Sequence, residues 1–157
     1  MKTLQISEEK ALELYNGGFN ELKVILEESF GKDFFRREIT DRIKTYEDAC
    51  AEIGIRSVDE SLFIRLGLTK HDIAYLKLVT IISALNEGWV SDISKKTEVR
   101  WHPYFGHNGS PSSFVFRGSF GPAYSLPGGG FRFCLKSKEL SDYCGQQFLD
   151  LWKEFLL

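Results

Sequence analysis

The sequence predicts an α+β fold: several short N-terminal helices and a long central helix packed with a small antiparallel sheet and a C-terminal helix. Three observations carry that expectation. Up to Gly88 apolar residues recur at helical spacing between capping residues and glycines, whereas from Trp89 to Leu135 the pattern turns to short alternating runs. After Ser137 the helical spacing returns. The aromatic residues follow the same division, because ten of the 22 lie between Trp89 and Phe133 in sequence rich in Gly, Ser and Pro.

The first helix starts at Ser7, a natural N-cap ahead of Glu8 and Glu9, with Ile6 placed to pack back on Ala11 and Asn16-Gly17-Gly18 as its stop. A second begins near Asn20, presents Leu22, Val24, Ile25, Leu26 and Phe30, and ends at Gly31, so the two form a helical hairpin. A third starts at Lys32 or Asp33 and carries Phe35, Ile39 and Ile43. Thr45 and Asp48 have capping-box spacing before Ala49, Cys50 and Ile53, and Ser57 and Glu60 repeat it before Leu62, Phe63, Ile64 and Leu66. The longest helix is capped by Thr69 and Asp72 and runs to Asn86-Glu87-Gly88. Its polar stripe is only Asp72, Tyr75, Ser83 and Asn86, which predicts a central, mostly buried position.

Beyond Trp89, Val99 and Trp101 suggest a short strand limited by His102-Pro103. Phe114 and Phe116 alternate with Val115 and Arg117, and Phe131, Phe133 and Leu135 with Arg132, Cys134 and Lys136; these two runs are the expected antiparallel strands. Gly118 to Gly130 is too long for a tight turn and reads as an irregular excursion between them. Ser137 caps a last helix with Leu140, Cys144, Phe148, Leu151, Trp152 and Phe155 on one face, which should dock on the core.

The chain has 157 residues, 43% of them hydrophobic and 27% charged, which suits one folded domain over 1–157 and argues against disorder. Three cysteines without a CxxC pair give no disulfide framework, and no apolar run reaches the roughly 20 residues of a membrane span. Met1 leads directly into a charged helical pattern, so a cytoplasmic setting with no membrane partner is expected. Residues 1–90 carry 12 basic and 16 acidic side chains and residues 91–157 carry 8 and 6, too mild an asymmetry for a strongly basic nucleic-acid domain.

His102 and His107 stand out as potential zinc ligands, but H-x4-H without a local third ligand is a poor metal signature. Cys50 and Cys144 fall on core stripes; Cys134 is the least improbable thiol nucleophile. Gly128-Gly129-Gly130 leads into a strand rather than a helix N-terminus and so lacks the build of a phosphate cradle. Residues 45–67 have some features of a helix-turn-helix, with the defect that Val58-Asp59-Glu60 opens the second helix with acid. Neither H-E-x-x-H nor G-x-S-x-G occurs, an enzyme is unsupported, and no cofactor is implied.

The aromatic region is richer. Arg100, Trp101, Arg117, Arg132 and Lys136 mix cations with rings as single-strand binders do, while alternation assigns Phe114, Phe116, Phe131 and Phe133 mainly to core. Trp101, Tyr104, Phe105, Phe120, Tyr124 and Leu126 are not explained by alternation and have the character of interface anchors.

The segments ISEEKALELY, LKVILEESFGKDFF, RIKTYEDACAEIGI, LKLVTIISALNEGW and FCLKSKELSDYCGQQFLDLWKEFLL resemble an uncharacterised family of small proteins from gut Bacteroidetes and their phages or prophages. The likeness implies a phage or mobile-element setting and brings no activity, cofactor or catalytic residue. The leading expectation is a non-enzymatic binding or assembly module contacting a protein or another macromolecule through Trp101, His102, Tyr104, Phe105, Arg117, Phe120, Tyr124 and Arg132. The alternatives are single-stranded nucleic-acid binding and a metal-dependent enzyme using His102 and His107.

Overall fold

A computed structural model describes residues 6–35, 38–92, 94–95, 97–110, 113–121 and 130–157, with backbone alone at 32, 33, 130 and 131. It is an α+β fold in which helices accompany a two-stranded antiparallel sheet. Residue contacts gather the chain into two compact units, 1–41 and 42–157.

In the first unit, α1 (Glu8–Gly17) and α2 (Asn20–Phe30) form the expected hairpin. The Ser7 hydroxyl accepts from the Lys10 amide at 3.2 Å, satisfying one of the amides a helix start leaves open. Tyr15 donates to Glu27 across the pair at 2.5 Å. Ala11, Leu26 and Phe35 make the buried centre, with Ile6, Leu22 and Phe30 packed around it, and the Tyr15 and Phe35 rings stack at 4.2 Å. Val24 and Ile25, expected on the apolar face, instead point to solvent. The third helix is two pieces, α3 (Lys32–Phe35) and α4 (Ile39–Arg42), and residues 36 and 37 lie outside the described residues.

The second unit opens with the Thr45–Asp48 capping box, in which the Asp48 amide donates to Thr45 Oγ1 at 3.1 Å and the Thr45 amide to Asp48 Oδ2 at 2.8 Å. It starts α5 (Tyr46–Glu52), which buries Ala49 and Cys50 while Ile53, past its end, is exposed. The next cap is Asp59 rather than Ser57: its carboxylate accepts from the Ser61 amide at 2.8 Å, and the stronger anionic acceptor fixes the start of α6 (Glu60–Arg65) there. The irregular link from Ile53 to Asp59 exceeds the 3–4-residue turn of a helix-turn-helix. Of the expected apolar face of α6 only Phe63 is buried, and Leu62, Ile64 and Leu66 are exposed.

The helix α7 (Lys70–Leu85) takes the predicted central place, capped by Thr69 and Asp72, with α5 and the C-terminal helix packed against it. Ile73, Ala74, Leu78, Ile81, Ile82, Ala84 and Leu85 are buried. Asn86, read from the sequence as part of a polar stripe, is 5% exposed. Its amide donates to the Cys134 carbonyl at 2.9 Å and its oxygen accepts from the Lys136 amide at 3.0 Å.

That clamp explains the largest departure from the expected topology. The Phe131–Leu135 run is a 3-10 turn over Gly130–Phe133 followed by one antiparallel bridge, Leu135 to Trp101, because Asn86, the C-cap of α7, occupies backbone groups that a neighbouring strand would need. The sheet pairs β1 (His102–Gly106) with β2 (Val115–Phe120). Pro103, expected to limit a strand, sits inside β1, which a two-stranded sheet permits because both of its strands are edges. Gly118, Ser119 and Phe120, expected in the excursion, belong to β2, and residues 122–129 lie outside the described residues.

The last helix docks as expected but in two segments, α8 (Lys138–Gln147) and α9 (Leu149–Leu156), joined at Phe148, whose φ of -109° and ψ of 30° leave helical geometry. Tyr143 donates to the Ile43 carbonyl at 2.6 Å and Gln147 to that of Lys44 at 2.9 Å. The helix α8 covers the inner face of the sheet through Gly145: a Cβ there would lie 2.5 Å from the Phe116 ring and 3.0 Å from Pro103. Among the described residues no helix is long and apolar enough to cross a membrane.

Candidate functional site

The two strands sort their side chains through a bulge. Tyr104 pairs with Gly118 and Phe105 with Phe116, which leaves Arg117 as an extra residue on β2. Period-two counting would put Phe116 and Phe120 on one face; the extra residue puts them on opposite ones. Phe116 turns inward against α8, and Ser119 joins it there, its hydroxyl 2.7 Å from that of Ser141. The register places His102, Tyr104, Gly118 and Phe120 together on the other face, since cross-strand partners share a face.

On that outer face His102 is covered, 7% exposed and bonded to the Phe133 backbone, while Tyr104 is 61% exposed and Phe120 58%. The latter two are diagonal neighbours, about 7–8 Å apart at their Cα atoms for such a pair, and between them stands Gly118. Its φ of +146° is a conformation that L side chains rarely adopt, and among the described residues nothing approaches within 4 Å of where a Cβ would be. The result is two rings flanking an open notch floored by backbone. Arg117, also exposed, lies along Gly106 and donates to Asn108.

Other residues read from the sequence as binding groups have structural work. Trp101 is half-buried, its backbone paired with Leu135 and its indole so close to Gly121 that a Cβ there would meet it at 2.9 Å. Phe105 stacks on Phe114 at 5.1 Å and contacts the Phe116 and Trp152 rings. Phe133 is buried, in keeping with its predicted core role, while the side chain of Phe131 lies outside the described residues. Tyr124 and Leu126 also lie outside them. Arg132 is exposed on the 3-10 turn and borders a groove that includes no residue of β1 or β2.

The histidines do not meet. His102 opens β1 and His107 follows its end, roughly 16 Å away at strand rise. Burial pushes the His102 imidazole below its ordinary value, against a hydrogen bond with the Phe133 backbone, so it is mainly neutral at pH 7. Among the described residues no three of His, Cys, Asp and Glu are grouped to hold a metal ion. The three cysteines are buried, burial pushes the Cys134 thiol up, and that of Cys144 is pushed up to about 12. Neither Cys134 nor Cys144 is thereby a thiolate nucleophile at neutral pH.

Arg100, by its sequence context a candidate nucleic-acid contact, has a structural role instead. This arginine is 8% exposed and holds the 91–98 loop from within. It donates to Ser91 Oγ, to the Asp92 carbonyl at 2.6 Å and to the Lys95 carbonyl at 3.3 Å, and pairs with Glu98 at 3.2 Å. Lys136 is engaged as well, at 2.6 Å from Glu87. The one sequence signal for the Arg100 hub is the density of Ser, Asp and Glu just before it. No family model, curated protein or solved structure matches the chain.

Proposed function

We propose that the chain is a non-enzymatic binding or assembly module that seats a partner protein on the outer face of the β1–β2 sheet, with Tyr104 and Phe120 as its anchors. The observation that carries this reading is the pair of rings, each more than half exposed, on one face of a sheet whose other face is covered by α8. A large ring whose backbone is already fixed by strand pairing loses little further freedom on binding, which is why aromatic side chains dominate interface energetics. Arg117, exposed on the bulge of β2 and bonded to Asn108, adds a polar group to the same sheet. The three cysteines, present as buried thiols, support a reducing, cytoplasmic compartment, and a phage-associated setting follows the resemblance of the five sequence segments.

A photo-crosslinking residue at Asn108, an exposed position beside the Arg117 side chain, tests the proposal. Its adduct in host lysate should be competed by the unlabelled protein and at least about tenfold less well by Tyr104→Ser/Phe120→Ser, the equivalent of about 1.4 kcal/mol. Equal competition by the double variant would refute the role of the rings. Single-stranded nucleic acid is the second reading, favoured by an exposed Arg117 on the same strand pair as two stackable rings. It is weaker because Arg100 and Lys136 are held by Glu98 and Glu87. A labelled oligonucleotide that binds at low salt and is released steeply by added salt would favour it over the protein partner.

A further inference from the structure

A second concavity, of about 240 Å3, lies between α7 and the 3-10 turn. Val79, Ile82, Trp89 and Val90 give it apolar walls, and Ser83 and Arg132 contribute its freely available polar groups. The Asn86 amide at its base is already committed to Cys134 and Lys136. We propose that this groove binds a small monocarboxylate with an apolar body, its tail against Trp89 and Ile82 and its carboxylate on the Arg132 guanidinium.

Charge complementarity selects that ligand. Among the described residues the lining contains one cation and no acid. The Glu98 carboxylate, which accepts from the lining residue Ser91, is neutralised by Arg100 at 3.2 Å, and Lys136 is neutralised by Glu87 at 2.6 Å. Arg132 thus faces an acid-free apolar trough, where a fork of N–H donors matches a carboxylate. The volume falls below the roughly 300–1,000 Å3 of sites for drug-sized ligands, so the ligand must be small. The site is separate from the outer sheet face and stands independently of the partner-binding proposal.

The test uses the full chain with hexanoate and hexanamide, an acid and a neutral amide of matching shape, followed by the NMR shift of the Trp89 indole N–H. Hexanoate should bind about tenfold or more tightly than hexanamide. Arg132→Gln should bring hexanoate down to the amide's affinity and leave hexanamide unchanged. Val90→Asp, at a position 82% exposed where folding is undisturbed, should abolish hexanoate binding. Tyr104→Ser/Phe120→Ser should leave hexanoate binding intact, which separates this site from the sheet face. Equal affinity for acid and amide, or shifts that spare Trp89, would overturn the proposal.

Discussion

Replacing Arg100 with Met lowers the unfolding free energy by about 3–5 kcal/mol, read as a fall in the urea midpoint. The methionine fills much of the space of the arginine stem, so the loss is chiefly electrostatic. The Glu98 carboxylate keeps its hydrogen bonds from Ser91 and the Asp92 amide but loses its cation, and the Asp92 and Lys95 carbonyls lose their donor. With 9% and 15% of the Arg100 and Glu98 side chains exposed, water cannot replace the missing partner at low cost. The double variant Arg100→Met/Glu98→Gln should recover part of the loss, because it removes the uncompensated charge. A single variant within about 0.5 kcal/mol of the parent would show that the hub is a surface ion pair.

Asn86→Leu is the second large effect, at about 2–6 kcal/mol, from two backbone groups each left unsatisfied at about 1–3 kcal/mol. The leucine keeps the side-chain volume while the Cys134 carbonyl and the Lys136 amide both lose their partner. Urea unfolding should show the decrease, and amide exchange at Lys136 should accelerate selectively. Unchanged exchange at Lys136 would mean that the clamp does not hold the bridge segment.

These two residues also mark the limit of what the sequence conveys. Capping boxes at Thr45–Asp48 and Thr69–Asp72 are local devices and their spacing is visible directly. The alternation of Phe131, Phe133 and Leu135 is as regular as that of a strand, yet Asn86 reaches 48 positions along the chain to use the backbone there. Gly145 looks like a weak helix position until the Phe116 ring is brought against it, and Arg100 looks like a surface cation until the preceding loop closes over it. The rings of the site were legible as residues outside the alternating pattern. Their direction was not, because a single extra residue at Arg117 reverses the face on which Phe120 stands relative to Phe116.

Hydroxyl-radical footprinting of the folded chain tests the central claim, that Tyr104 and Phe120 form an open aromatic pair on the outer sheet face. Tyr104 and Phe120 should be oxidised several-fold faster than Tyr46 and Phe133, which are 9% and 3% exposed. In the presence of a bound partner protein that excess should disappear while the rates of Tyr46 and Phe133 stay unchanged. Oxidation of Tyr104 and Phe120 at the slow rate of the buried rings in the free protein would contradict the account.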